Sequence, residues 1–139
     1  MRIRTILATT CAALALATTT AHATPPSPGV TAELIFQTTA GGKDYTLRKL
    51  TLPPGATTGW HQHTGMVYAR IEEGTLSHFD ATCESDGVYT AGQFIEEGPN
   101  YTHIGRNLGD TPLVLDVLYV LPHGDPFSVD EPNPGCDFQ

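Results

Sequence analysis

Apolar and polar residues alternate along most of the chain in short runs, and turn residues separate one run from the next. A period of two is typical of strands with one buried face, and hardly any segment has the 3.6-residue period of a helix. Turns such as Gly41-Gly42 and Pro53-Pro54 punctuate the runs. The pattern predicts strands at residues 32–38, 45–52, 60–71, 75–80, 88–90, 93–96, 101–106 and 112–121. Regular short strands of this kind predict an all-β sandwich or barrel.

The first residues have the order of a secretory signal peptide. Arg2 and Arg4 precede an apolar stretch at about residues 6–17, and residues 21–23 (Ala-His-Ala) match the small-x-small pattern that signal peptidase cleaves. The apolar stretch is too short to span a membrane with these flanks. We therefore expect cleavage after Ala23 and a secreted or periplasmic protein without membrane attachment after cleavage.

The rest of the chain is long enough for one compact domain and too short for two. Residues 24–30 are rich in proline and predict a flexible N-terminal segment. The strands predict a barrel over residues 31–122. Four prolines lie in or just before residues 123–139, which predicts a tail of irregular coil.

The net charge of the chain argues against two classes of binding partner. Residues 24–139 carry five basic and 15 acidic side chains, a net charge of −10. Nucleic acids and anionic membranes bind patches of lysine and arginine, so neither is an expected partner. The acidic balance is typical of a soluble protein, and a small molecule remains the expected ligand or substrate.

Cys83 and Cys136 are the two cysteines that follow the predicted cleavage site. An even number of cysteines in an exported chain favours a disulfide, which would tie a mid-chain loop to the tail. The alternative is a metal site that uses both thiolates, and it lacks the close-spaced cysteine pair that such sites usually have.

Three histidines are informative by their placement. His61 and His63 are two residues apart on a predicted strand, so their imidazoles should project from the same face. His103 lies on another predicted strand. Two ligands from one strand and one from a neighbour predict a metal site, and imidazole suits Zn, Fe, Cu and Ni. We expect His78 to be a structural strand residue and His123 to be solvated.

Two segments resemble the motifs of the cupin superfamily. The first motif, G-x5-H-x-H-x3-4-E-x6-G, aligns with the segment from Gly55 to Gly74, and the second, G-x5-P-x-G-x2-H-x3-N, with the segment from Gly92 to Asn107. All spacings fit, and the resemblance covers residues 32–121. It implies a single jelly-roll β-barrel in which His61, His63 and His103 point inward as metal ligands.

The chain departs from the motifs at three positions. Gly98 and Asn100 replace a proline and a glycine, and all four are turn residues. Val67 stands where the family has its glutamate ligand. The resemblance therefore implies a shell of three neutral imidazoles, in which a divalent ion would keep its charge of two and one or more open positions.

The resemblance implies several functions. Three-histidine cupins include thiol dioxygenases and β-diketone-cleaving dioxygenases that use Fe(II), so an Fe(II) dioxygenase acting on a small organic molecule is the leading expectation; Zn, Mn, Ni and Cu are alternative metals. A Zn-dependent hydrolytic or lyase-type enzyme is a second expectation, since such a site lowers the pKa of bound water. A non-catalytic secreted cupin that binds a metal or a small molecule is the third. Many cupins form homodimers, and a homodimer is also expected here.

Overall fold

A computed structural model describes residues 23–139, so the predicted signal peptide lies outside the described residues apart from Ala23. The described chain folds into ten strands and no helix. The strands are β1 (Thr31–Ala40), β2 (Lys43–Leu52), β3 (His61–Gln62), β4 (Met66–Glu73), β5 (Thr75–Asp80), β6 (Ser85–Thr90), β7 (Phe94–Glu97), β8 (His103–Arg106), β9 (Leu113–Pro122) and β10 (Val129–Asp130). Within residues 23–139 we find no helix long and apolar enough to span a membrane.

The strands form two antiparallel sheets of five strands each. The first sheet has the order β1-β2-β9-β4-β7, and the second has the order β10-β3-β8-β5-β6. The chain crosses repeatedly between them, for example from β3 to β4 and from β7 to β8. The predicted all-β jelly-roll barrel is confirmed.

The core fills the space between the sheets. On β9, every second residue from Leu113 to Leu121 is buried, and on β4 the buried residues are Val67, Ala69 and Ile71. This alternation places one row of apolar side chains inside the barrel and leaves the other row outside. Burial of these rows is the main source of stability, at about 25 cal/mol for each Å² of apolar surface removed from water.

The strand predicted at residues 60–71 is divided in the structure. The chain leaves the second sheet after Gln62 and enters the first sheet at Met66. Gly65 lies at this crossing, where an added Cβ would be 2.3 Å from the Val120 carbonyl oxygen. Only glycine permits so close an approach of two backbones.

Both ends of the described part of the chain contact the barrel. Thr24, in the segment predicted to be flexible, is buried and accepts a hydrogen bond from the Trp60 amide at 2.6 Å. In the tail, β10 pairs with β3 and extends the second sheet, so the tail is not coil throughout. A two-residue strand between Pro126 and Pro132 is short enough to avoid both prolines.

A disulfide joins Cys83 to Cys136, with a Cα–Cα distance of 5.5 Å. It holds the tail beside the second sheet, where Phe138 stacks on Trp60 and contacts Phe79. A disulfide is typical of proteins in oxidising compartments, in agreement with the expected export.

We predict that the double substitution C83A/C136A lowers the free energy of unfolding by about 4 kcal/mol, because the disulfide closes a loop of 53 residues. Urea denaturation of the oxidised protein and the variant measures the difference. Addition of a reductant should move the wild-type curve to that of the variant and leave the variant unchanged. Coincident curves for the oxidised protein and the variant would contradict the prediction.

Candidate metal centre

Four buried histidines meet inside one end of the barrel. Three neighbouring strands of the second sheet, β3, β8 and β5, provide His61, His103 and His78. His61 pairs directly with His103 in the register. His63 follows β3 at the start of the crossing to the first sheet. All four imidazoles are buried.

The three histidines predicted as ligands are close together. The ring centroid of His61 lies 4.8 Å from that of His63 and 4.3 Å from that of His103. The centroids of His63 and His103 are 5.2 Å apart. One ring nitrogen of each lies within 4.8 Å of the others. The spacing of His61 and His63 brings their rings together as predicted, although His63 lies beyond the end of the strand.

Each of these three imidazoles is fixed through Nδ1. The Nδ1–H of His61 donates to the Gly59 carbonyl at 2.9 Å, that of His63 to the Phe127 carbonyl at 2.7 Å, and that of His103 to the Tyr101 carbonyl at 2.7 Å. A carbonyl can only accept, so the proton of the neutral ring lies on Nδ1. The Nε2 lone pair is then free, which is the arrangement of histidines that bind metals.

A carboxylate from the opposite sheet completes the cluster. Oε2 of Glu97, on β7, lies 3.1 Å from His63 Nε2 and 3.5 Å from His103 Nε2. Burial opposes the charge of this carboxylate, but the imidazoles of His103, His63 and His78 hold the pKa of Glu97 well below its usual range. Glu97 is therefore an anion among the imidazoles.

Glu97 corrects the prediction that Val67 leaves the site without a carboxylate. Val67 and Glu97 are paired residues on the neighbouring strands β4 and β7. The carboxylate is thus present, displaced by one strand from the position that the motif gives it. The sequence contains a signal for this: Ile95 is buried, and by the period of two Glu97 faces inward with it.

His78 is also part of the cluster, although the sequence predicted a structural residue. Its Nε2 lies 3.3 Å from Glu97 Oε1, and its Nδ1 lies 2.6 Å from Asp86 Oδ1. Burial works against a charged ring, but contacts with Glu97 and Asp86 raise the pKa of His78. Tyr101 donates a hydrogen bond to the other oxygen of Asp86 and stacks on His103. Asp86 and Tyr101 thus fix the side of the cluster away from His61.

The donor set fits a divalent cation. When two ligand atoms each lie about 2.1 Å from one ion, their separation depends on the angle between the two bonds. It is about 3.0 Å at the octahedral angle and about 3.4 Å at the tetrahedral angle. The distances from Glu97 Oε2 to the Nε2 atoms of His63 and His103, 3.1 and 3.5 Å, are close to that range. The Nε2 atom of His103 is buried and has no well-directed hydrogen bond among the described residues. A cation between the imidazoles and the carboxylate would satisfy its lone pair.

Three further residues lie outside the cluster. Trp60 is fully buried and packs on Phe138. His123 is exposed and bonds to Asp44 at the surface. Arg70 pairs with Glu72 on the outside of the barrel.

Comparison with known proteins identifies the family. The sequence profile of the cupin domain matches residues 48–121, more than half of the chain. The chain is a cupin. The matched range includes His61, His63, Glu97 and His103. A comparison with curated protein sequences finds no match.

Solved structures agree with this fold. A cupin-like protein from Thermotoga maritima superposes with a TM-score of 0.65 at 20% identity, covering 75% of this cupin and 77% of that chain. A protein with a double-stranded β-helix domain from Klebsiella pneumoniae has a TM-score of 0.61 at 18% identity, covering 76% and 87%. KdgF from a Halomonas species has a TM-score of 0.57 at 17% identity, covering 71% and 84%. At these identities the likeness shows the fold alone.

We predict that His61 remains neutral, with its proton on Nδ1, in the metal-free protein down to about pH 4. Burial, together with the neighbouring His103 and His63, lowers the pKa of His61 to about 3. Long-range ¹H–¹⁵N correlation spectra distinguish Nδ1–H, Nε2–H and the doubly protonated ring. Protonation of His61 with a midpoint near 6.5, the usual value for histidine, would contradict this prediction.

Proposed function

We propose that this cupin is a metal-dependent dioxygenase that acts on a small organic molecule. One divalent ion, Fe(II) by preference, would be held by His61, His63, His103 and Glu97. The observation that carries the proposal is the convergence of three Nδ1-anchored imidazoles on one another, together with the contacts of the Glu97 carboxylate with two of them, His63 and His103.

The donor types favour an oxygenase. A site of two histidines and one carboxylate with open positions is typical of non-haem Fe(II) oxygenases, and this cluster contains that set with a further imidazole. Four protein ligands leave two positions free on a six-coordinate ion. Glu97 reduces the net charge of the filled site from two to one, which lowers its attraction for anions compared with a shell of imidazoles alone.

The residues of the chain have separate tasks in this proposal. The carbonyls of Gly59, Phe127 and Tyr101 keep Nε2 of each ligand histidine unprotonated. A small inner cavity beside Glu97 has apolar side chains in its lining, among them Leu76 and Leu115, which would contact the apolar part of a bound molecule. When bound, the ion would supply activation of dioxygen and of the substrate.

The first test is metal content and dioxygen uptake. We expect the protein, purified without oxygen and exposed in turn to Fe(II), Zn, Mn, Ni and Cu, to bind one ion per chain by elemental analysis. The Fe(II) form should consume dioxygen with at least one substrate in a panel of diketones, thiols and flavonoids. Absence of metal after all five reconstitutions would overturn the proposal.

Two histidine variants make this test specific. His103→Ala removes a buried ligand and should abolish metal binding, whereas His123→Ala removes an exposed histidine and should leave binding unchanged. Metal binding without dioxygen uptake would overturn the proposal that the protein is a dioxygenase. It would favour a Zn-dependent enzyme, since three nitrogens and one oxygen also suit tetrahedral Zn, or a non-catalytic binding protein.

The second test concerns the displaced carboxylate. Glu97→Gln keeps the size of the side chain and removes its charge, so we expect metal affinity to fall by about tenfold or more. The exchange variant V67E/E97V returns a carboxylate to the position of the family motif, one strand away, and should recover much of the loss. Competition with a metal-binding dye measures the affinities. Equal affinities of E97Q and the wild type would exclude Glu97 as a ligand.

A further inference from the structure

An arginine lies on the inner row of β2. On this strand Thr46, Arg48, Leu50 and Leu52 share one face by the period of two, and Thr46 and Leu52 are fully buried. Arg48 is paired in the register with Val117, which belongs to the core. An arginine in such a row is unusual, because burial of a charge is costly unless the charge has a partner.

No carboxylate balances this guanidinium. Within residues 23–139, the ion pairs closer than 4.0 Å do not include Arg48. Its guanidinium lies 4.4 Å from the centre of the Phe127 ring, and its Nη2 donates a long hydrogen bond of 3.4 Å to the Ala32 carbonyl. These two contacts hold the side chain in place and leave most of its five N–H donors available.

Arg48 faces a cavity that adjoins the metal centre. The cavity has a volume of about 250 Å³, with Arg48 and Ser128 among its polar lining and Pro26 and Val30 among its apolar lining. His61 also lines it, and the same His61 lines the inner cavity that contains Glu97. The two cavities are therefore adjacent and share part of their lining. The volume is below that of typical drug-sized pockets, which suits a small molecule.

We propose that Arg48 binds the carboxylate of the substrate and that this cupin acts on a small organic acid with an apolar body. This inference rests on the proposed function for the reaction, but not for the binding of the acid. The planar guanidinium matches a carboxylate with two parallel hydrogen bonds. The apolar walls beside it would contact the body of the acid, whose other end would lie towards His61.

Binding of simple acids to the metal-free protein tests the inference apart from the reaction. The probes are acetate, pyruvate and benzoate, each with its neutral amide, titrated by calorimetry and by backbone NMR. We expect at least one acid to bind more tightly than its amide by about 10- to 100-fold, the usual range for a hydrogen-bonded charge. Its largest shift changes should lie at Ala32, Arg48 and Ser128.

Three variants locate the binding. Arg48→Gln should lose that preference for the acid and keep the affinity for the amide. Arg48→Lys keeps the charge but lacks the planar guanidinium. Its preference for the acid should lie between those of the wild type and Arg48→Gln. Arg70→Gln, which removes a cation on the outside of the barrel, should match the wild type. Thermal unfolding of each variant verifies that it is folded.

Metal uptake by the same variants after reconstitution separates the two proposals. If Arg48→Gln loses acid binding and still takes up one ion per chain, the inference is supported. If the wild type prefers acids through Arg48 but takes up no metal, the proposed function fails and the acid site stands. Equal binding of acids and amides by the wild type, or equal acid binding by the wild type and Arg48→Gln, would overturn the inference.

Discussion

The site depends on one electrostatic constraint, the convergence of unshared electron pairs in a buried space between two sheets. The second sheet brings imidazoles whose protons are fixed on Nδ1, and the first sheet brings the Glu97 carboxylate. Burial disfavours a second proton on His61, whose pKa falls to about 3. A metal ion held by the imidazoles and Glu97 would satisfy these groups together, and its binding would also strengthen the contact between the two sheets.

The C-terminal tail connects the metal centre to the cavity beside it. The Phe127 carbonyl accepts the Nδ1 proton of His63, and the Phe127 ring contacts both Arg48 and Tyr119. One tail residue therefore orients a candidate metal ligand and the cation that lines the outer cavity. Pairing of β10 with β3 and the disulfide at Cys136 hold the part of the tail that follows this contact. The tail is a structural part of the site.

The alternation of residues and the spacing of the motifs predicted the strands and the ligand histidines. Neither pattern could predict which strands lie side by side. Alternation identified the barrel, and motif spacing identified His61, His63 and His103. The motif places its acid at position 67, so the sequence predicted no carboxylate there. Glu97 replaces it because β7 lies beside β4, and such adjacency depends on the whole topology. His78 joins the cluster for the same reason, since β5 is the neighbour of β8.

The position of Arg48 also bears on how an acidic protein could bind an anionic ligand. With a net charge of −10 over residues 24–139, the surface as a whole repels an anionic ligand. That repulsion acts over distances comparable to the Debye length and is weakened by physiological salt. The guanidinium of Arg48, which is partly buried, acts at contact distance, where screening by salt is weaker. Recognition of an acid, as we propose for this cupin, would therefore depend on Arg48, whose cavity adjoins the candidate metal centre.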